Sequence, residues 1–131
     1  MSENIPRKVV TTRIVKEWIA NLTDQIGKAA INDRIDLLKQ GNFGDIDSVK
    51  SEPGLFEMRI DVGPGYRVYF GEFEGQVVVL ILGGPKKTQK ADMKKAGAAL
   101  RWLKNKAEEE KAAKAAQESA KDAGNKKSKR K

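Results

Sequence analysis

The strongest constraint on the fold is a period-2 alternation of apolar and polar residues on both sides of a short glycine-rich turn. Over residues 56–62 apolar side chains occupy every second position, and the alternation resumes over residues 66–70. This period is typical of strands with one buried face. The Gly63-Pro64-Gly65 segment favours a tight turn, because proline presets φ and glycine tolerates positive φ. The sequence therefore predicts an antiparallel hairpin with a core face and a polar face.

The register of this hairpin decides which polar side chains are neighbours. A three-residue loop pairs Val62 with Tyr66, since a slip by one residue would set apolar side chains against polar ones. On the polar face the expected cross-strand pairs are Arg59 with Tyr69 and Asp61 with Arg67. Such neighbours lie ~5 Å apart. We expect two guanidinium groups and a phenol to share one patch, in which Asp61 and Arg67 also suit an ordinary surface ion pair.

A second hairpin is expected at Glu74-Gly75, as a two-residue loop that pairs Phe73 with Gln76. The run that follows, residues 77–82, is apolar without interruption. An uninterrupted apolar run of this length is typical of a strand buried on both of its faces.

Two lysines follow this strand. Gly83-Gly84-Pro85 is expected to end the sheet and to deliver Lys86 and Lys87 to a helix start, where free N–H groups favour an anion. Guanidinium groups match phosphate oxygens in bidentate fashion. Arginines on the sheet face and lysines at its end therefore predict a binding site for a phosphodiester.

The remaining segments complete an α+β domain. The expected elements are a strand over residues 8–12, helices over 14–22 and 25–40, a short strand within 46–49, the hairpin strands, and a third helix capped by Thr88. The order β-α-α-β-β-β-β-α predicts a small twisted antiparallel sheet of four to five strands, with two N-terminal helices packed on one face and a C-terminal helix. The opposite sheet face is expected to stay open.

The composition divides the chain at about residue 104. Residues 1–103 are expected to form the folded domain. Residues 104–131 consist mainly of Ala, Lys and Glu, which predicts a charged extension that is helical at first and disordered from Gly124 onward. This extension holds ten basic and five acidic residues and so carries +5 of the net charge of +8.

Histidine and cysteine are both absent, which excludes His-based acid–base catalysis, cysteine nucleophiles, disulfides and His- or Cys-ligated zinc. No compact carboxylate cluster predicts another metal site, so we expect no metal and no cofactor. There is no signal peptide and no apolar run near the ~20 residues of a membrane span, which predicts a cytoplasmic protein without membrane contact. The positive charge favours nucleic acid, a ribosome or an acidic protein as partner.

Several segments carry a family resemblance in their combined order and spacing. They are Trp18 with Leu22 and Asp24, residues 34–45 (RIDLLKQGNFGD), 58–70 (MRIDVGPGYRVYF) and 83–96 (GGPKKTQKADMKKA). In these segments the chain resembles the RelE/ParE superfamily of toxins from bacterial type II toxin–antitoxin modules. It is most similar to the HigB-like branch of phage-associated addiction module killer proteins.

The resemblance implies a toxin held by an antitoxin, expected to be of the helix-turn-helix type and to lie across or near the open sheet face. In many relatives the toxin cuts mRNA on the ribosome. If this chain cuts RNA, we expect attack of the adjacent 2′-OH on phosphorus, because that nucleophile is in the substrate and no metal is required. The resemblance implies roles for Arg59, Arg67 and Lys86, which match the family's basic positions, and a catalytic or base-stacking role for Tyr66 and Tyr69. We expect catalysis by Arg59, Arg67, Lys86 and Tyr69, and RNA binding by Tyr66, Lys87 and Gln89. The arginines would stabilise charge on phosphorus, and Lys86 or Tyr69 would move protons once a cationic neighbourhood had lowered their pKa values.

Two other functions compete with this hypothesis. A ParE-type toxin inhibits DNA gyrase by binding, without catalysis. A non-toxic RNA- or ribosome-binding domain would use the same residues only to contact phosphates.

Overall fold

A computed structural model describes residues 4–129, with side chains described up to residue 120. Its elements are β1 (Lys8–Thr11), α1 (Arg13–Asn21), α2 (Gln25–Lys39), β2 (Ile46–Ser48), β3 (Phe56–Ile60), β4 (Tyr66–Phe73), β5 (Val77–Pro85) and α3 (Gln89–Lys129), with a 3₁₀ turn at Lys86–Thr88 before α3. The predicted α+β class and element order are confirmed. The boundaries of α1 and α2 agree with the predicted ones to within a residue or two.

The five strands form one mixed sheet in the order β1-β5-β4-β3-β2. Strand β1 runs parallel to β5, and the other neighbouring pairs are antiparallel. The apolar run in β5 is therefore central, as its composition predicts. The expectation that Gly83 and Gly84 end the sheet is wrong, because they pair with Val68 and Arg67 of β4. Gly83 instead lets the Trp18 ring pack against the strand, where a Cβ atom would overlap that ring.

The hairpin of β3 and β4 has a five-residue loop, so the predicted register is wrong by two residues. Ile60 rather than Val62 pairs with Tyr66. The loop is longer than predicted because Gly63 and Gly65 both adopt positive φ, and the Gly65 N–H donates to the Val62 carbonyl at 3.0 Å. A shift by two residues leaves each side chain on its predicted face. The faces were thus predicted correctly and the cross-strand pairs were not.

The hairpin of β4 and β5 also differs from its prediction. Phe73 pairs with Val77, so the loop has three residues instead of two. Gly75 and Gln76 both have positive φ, at 79° and 60°, and this geometry accommodates the extra residue. A bulge between Tyr69 and Phe70 shifts the register farther along the strands.

Helices α1 and α2 cover one sheet face and bury the main hydrophobic core against it. This core contains Val15, Ile31, Ile35, Leu38, Met58, Ile60, Tyr66, Val68, Phe70, Val78 and Leu80. Asp24 caps α2 by accepting a hydrogen bond from the Gly27 N–H at 3.0 Å, which fixes where this helix begins.

The opposite sheet face is covered by the first turns of α3, so the predicted open face is wrong. Ala96 and Leu100 are buried there. Gly71 of β4 permits this packing, since a Cβ atom at Gly71 would lie 2.5 Å from the Leu100 side chain. The apolar positions of α3 predicted a packed helix, but periodicity does not reveal which sheet face the helix covers.

The chain divides into two compact units, Met1–Leu100 and Arg101–Lys131. Helix α3 continues through the described part of the second unit as far as Lys129. The disorder expected from Gly124 onward concerns residues that lie in part outside the described ones, and it stays a prediction. Among the described residues, no helix combines the length and the apolarity that crossing a bilayer requires.

Candidate nucleic-acid interface

The sheet face under α3 brings two arginines together. Arg59 of β3 and Arg67 of β4 are direct cross-strand partners, and we refer to them as the arginine pair. Like charges at directly opposed positions destabilise a sheet unless they are compensated. The pair therefore needs counter-charges, and an incoming anion is one way to supply them.

Three aspartates supply this counter-charge. Asp45 and Asp47 lie 3.3 and 3.8 Å from the Arg59 guanidinium, and Asp61 lies 3.5 Å from that of Arg67. The side chains of all three aspartates are more than half exposed. Arg59 is itself partly exposed, and exposed ion pairs contribute ~0–1 kcal/mol, so a phosphate can replace Asp45 and Asp47 at little cost.

The two arginines differ in their access to solvent. The Arg59 side chain is 32% exposed, whereas that of Arg67 is 6% exposed. Arg67 donates from NH1 to the Tyr66 carbonyl at 3.0 Å, and its buried Nε has no hydrogen-bond partner among the described residues. A ligand can therefore contact Arg59 directly, while Arg67 adds positive charge beneath the surface and retains an unused donor.

Tyr69 lies on the same face and is completely buried. Its hydroxyl has no hydrogen-bond partner among the described residues. Burial raises its pKa far above the ordinary tyrosine value, Glu57 and Asp92 raise it further, and Arg67 acts in the opposite direction. The expectation that cationic neighbours lower this pKa is wrong, because desolvation dominates. Tyr69 is unsuited to accept a proton near neutral pH.

Glu57 is a site residue that the sequence analysis missed. It is the cross-strand partner of Tyr69 and only 6% exposed. Its Oε2 accepts a hydrogen bond from the Gln89 side-chain amide at 2.8 Å. The Gln89 amide is therefore engaged by Glu57, and the RNA contact of Gln89 stays a prediction. The alternation did show that Glu57 points away from the core, yet only the position of α3 shows that it is buried.

Lys86 and Lys87 lie on the exposed 3₁₀ turn that precedes α3. The Lys86 N–H donates to the Gly65 carbonyl at 3.0 Å, which holds this turn against the β3–β4 hairpin loop. Farther along, Thr88 donates to Asp92 at 2.6 Å. The first turn of α3 thus carries a carboxylate of its own, which weakens the case for an anion at the helix start.

Tyr66 lies on the other sheet face, away from the arginine pair. Its hydroxyl donates to Asp24 at 2.7 Å, and its ring packs edge-on against Trp18 with centroids 6.1 Å apart. Only 4% of Tyr66 is exposed. The structure therefore does not bring Tyr66 to the interface as the RNA-binding prediction required, because its alternation places it in the core.

The hydrogen bonds of Asp24 also shift two pKa values. The Gly27 N–H and the Tyr66 hydroxyl lower the pKa of Asp24. The same Asp24 contact raises the pKa of Tyr66. This pair joins α2 to β4, and its role is structural.

No group of three or more acidic side chains in the described part of the chain is arranged to hold a metal ion. The interface is therefore built from guanidinium, ammonium and carboxylate groups. Such a set can bind a phosphodiester and can move protons through Glu57 or Lys86.

The fold and the interface define a small α+β protein with a RelE-like fold. A solved structure with this fold is that of the Escherichia coli toxin RelE, a double arginine-to-alanine mutant in the free state. It matches with a TM-score of 0.50 and 14% identity over 70% of this chain and 98% of that chain. At this identity the likeness shows the fold alone.

The family is shown by sequence. An uncharacterized protein of Haemophilus influenzae is 47% identical over 89 residues, which cover 68% of this chain and 88% of that protein. The chain belongs to the family of this Haemophilus protein. No family model matches the chain.

Proposed function

We propose that the chain is the toxin of a bacterial type II toxin–antitoxin module, of the HigB-like branch, and that it inhibits translation as a ribosome-dependent mRNA endoribonuclease. The observation that carries this proposal is the direct opposition of Arg59 and Arg67 in a RelE-like fold. In the structure aspartates compensate the two guanidiniums, and an anionic ligand can take the place of the exposed ones. In the proposed function this anion is a phosphodiester of the messenger RNA. The place of action is the bacterial cytoplasm, where ribosomes translate.

The proposed reaction is attack of a 2′-oxygen on the adjacent phosphorus. The O2′–P bond forms and the P–O5′ bond breaks, which yields a 2′,3′-cyclic phosphate and a free 5′-OH. Arg59 contacts the non-bridging oxygens of the scissile phosphate. Arg67, which lies beneath the surface, adds positive charge that stabilises the negative charge developing on these oxygens. Lys87, exposed beside Lys86, binds a neighbouring phosphate. No metal and no cofactor is part of this proposal.

Two proton transfers complete the reaction. Because the raised pKa of Tyr69 keeps its hydroxyl protonated near neutral pH, we assign the acceptor role to Glu57. The Glu57 carboxylate takes the 2′-OH proton once the Gln89 amide has moved off the carboxylate. The Lys86 ammonium then gives a proton to the leaving 5′-oxygen, since an ammonium carries three donors. Hydrogen bonds in an unliganded site are often rearranged in the substrate complex, so the Gln89 contact is compatible with this role.

One observation favours a second candidate function. Arg67 and Tyr69 lie beneath α3 and are almost inaccessible. In a ParE-type inhibitor of DNA gyrase, which acts without catalysis, these residues would only support the sheet. The second candidate therefore assigns no chemical role to the buried part of the interface.

Induced expression in bacteria separates the candidates. We expect growth arrest with new message 5′ ends inside translated codons, and loss of both effects in Arg59→Ala and Lys86→Ala. Arg13→Ala is the matched control, because Arg13 is an exposed arginine on α1 whose ion-pair partner among the described residues is Glu17. Arrest with blocked DNA supercoiling and intact messages would replace the ribonuclease with the gyrase inhibitor. Normal growth would contradict both toxin functions.

A further inference from the structure

Trp102 is a large aromatic side chain that the proposed reaction does not use. It lies on α3 at the start of the second compact unit, Arg101–Lys131, and is 60% exposed. Tryptophan is highly buried on average, and the second tryptophan of the chain, Trp18, packs against Tyr66. An indole this accessible is available for contact with a ligand, because its ring combines a large apolar face with a polar N–H.

The residues around Trp102 are basic. Residues 101–107 contain Arg101, Lys104 and Lys106 and no acidic residue. The whole unit from Arg101 to Lys131 holds eleven basic and five acidic residues, so most of the positive charge of the chain belongs to it. A polyanion is therefore the kind of partner that this unit attracts.

Lys106 places a cation directly beside the indole. Its ammonium lies over the Trp102 ring, 5.6 Å from the ring centroid. The same ammonium lies 3.6 Å from the Glu109 carboxylate, and both side chains of this ion pair are more than half exposed. Because exposed ion pairs contribute only ~0–1 kcal/mol, a phosphate can take the place of Glu109. Ring and ammonium together offer a stacking surface for a base and a charge for the adjacent phosphate.

This combination favours single-stranded RNA over other polyanions. A base can stack on an aromatic side chain only when it is unpaired, and stacking next to a basic groove is a common way to bind single strands. A duplex presents its phosphates but keeps its bases inside the helix. An acidic protein segment supplies negative charge but no nucleobase to stack on the indole.

We infer that Trp102, together with Lys106, stacks on an unpaired base of single-stranded RNA. This contact belongs to the second compact unit, whereas Arg59 and Arg67 belong to the first, Met1–Leu100. The inference goes beyond the proposed function, because binding at Trp102 requires no cleavage. A chain that binds RNA here and never cuts it would satisfy the inference.

The test is a titration of the full chain with 2′-O-methyl oligoadenylate, followed by tryptophan fluorescence and by the anisotropy of a labelled probe. The methyl groups block the 2′-oxygen, so the probe cannot be cut by the proposed reaction. We expect binding to quench the emission of Trp102, since a base stacked on an indole quenches it. Trp102→Phe should lose this quenching but keep most of the affinity, because it retains a ring on which a base can stack.

The affinity of the variants tests the roles of ring and charge separately. Trp102→Ala should bind the probe more weakly, by on the order of tenfold. Ile14→Ala is the matched control, because Ile14 is 59% exposed and lies in the first unit, and it should bind like the wild type. Lys106→Gln should lower the slope of log affinity against log salt by about 0.7, the share of one phosphate contact to a single strand. Thermal melts check that the variants fold.

Other results overturn the inference. Equal affinities of Trp102→Ala and Ile14→Ala, or no quenching in the wild type, would show that the indole does not contact the probe. Equal quenching by the duplex with oligouridylate would show that no unpaired base is needed, and equal quenching by poly-glutamate would indicate an acidic protein partner. An unchanged salt slope in Lys106→Gln would remove the phosphate contact. Loss of quenching in Arg59→Ala would make Trp102 part of the binding at the arginine pair.

Discussion

The contacts of single residues explain how the arginine pair can accept an anionic ligand. Arg34 of α2 donates to the carbonyls of Phe43 and Asp45 at 3.1 and 3.3 Å. These bonds fix the loop that presents the Asp45 carboxylate to Arg59. The pair is thus compensated by carboxylates on loops, Asp45 and Asp61, and by Asp47 on the short edge strand β2. A phosphate can displace the two aspartates at Arg59 without disturbing the central strands.

Tyr69 gives a first prediction at the residue scale. Its buried hydroxyl has no hydrogen-bond partner in the described part of the chain, so Tyr69→Phe should leave stability at pH 7 unchanged or raise it by about 1 kcal/mol. A tyrosine with a raised pKa contributes its full stability below pH ~10. That contribution is lost as pH rises farther, so wild type should lose more stability at high pH than the variant. Urea denaturation at pH 7 and pH ~11 measures both effects. A clear loss for the variant at pH 7 would mean that the hydroxyl is hydrogen-bonded.

Asp24 gives a second prediction, with the opposite pH dependence. The lowered pKa of Asp24 means that its stabilising effect is present above its ordinary value of 3.8 and is lost as pH falls through the lower folded value. Asp24→Asn should therefore be less stable than wild type at neutral pH, with the difference closing below pH ~4. Thermal melts across this range check it, with Asp33→Asn, an exposed position on α2, as control. A difference that persists unchanged at acid pH would contradict this explanation.

At the scale of elements, the close approach of α1 to β5 depends on a glycine. Gly83→Ala should destabilise the protein by about 1–3 kcal/mol, because the new methyl group overlaps the Trp18 ring. In a Trp18→Ala background the same substitution should cost much less. Chemical denaturation of the four proteins in this cycle measures the coupling. An equal cost in both backgrounds would show that Trp18 is not the cause.

These elements could be predicted because their apolar residues recur with the period of a strand or a helix. The alternation over residues 56–70 fixed which side chains of the first hairpin face the core, and the helical spacing located α1 and α2. Loop lengths were missed, because residues such as Gln76 adopt positive φ without a sequence signal. The continuation of β5 through Gly83 was also missed. In the sequence, a glycine that makes room for a tryptophan ring cannot be distinguished from a glycine that ends a strand.

The candidate interface was predictable only in part. The pattern brought Arg59 and Arg67 to one face, and the structure makes them direct partners. The burial of Tyr69 and Glu57 could not be predicted from the sequence, because it depends on which sheet face α3 covers. Long-range packing of this kind leaves no local periodic signal.

At the scale of the whole molecule, the positive charge is unevenly distributed. Residues 104–131 carry most of the net +8. The remainder of the chain is only mildly basic, so the RNA binding that we propose has to come from a local arrangement and not from net charge. The arginine pair with Lys86 and Lys87 is the arrangement that meets this requirement.

The central claim is that this arrangement cleaves RNA, and cleavage of a message on programmed ribosomes by the purified chain tests it most directly. We expect wild type and Arg13→Ala to cut within translated codons and to leave 2′,3′-cyclic phosphate ends. Arg59→Ala should be slower by on the order of 100-fold or more, since it removes a group that stabilises the developing charge. Equal cleavage rates for Arg59→Ala and Arg13→Ala, or no cleavage by wild type, would contradict the account.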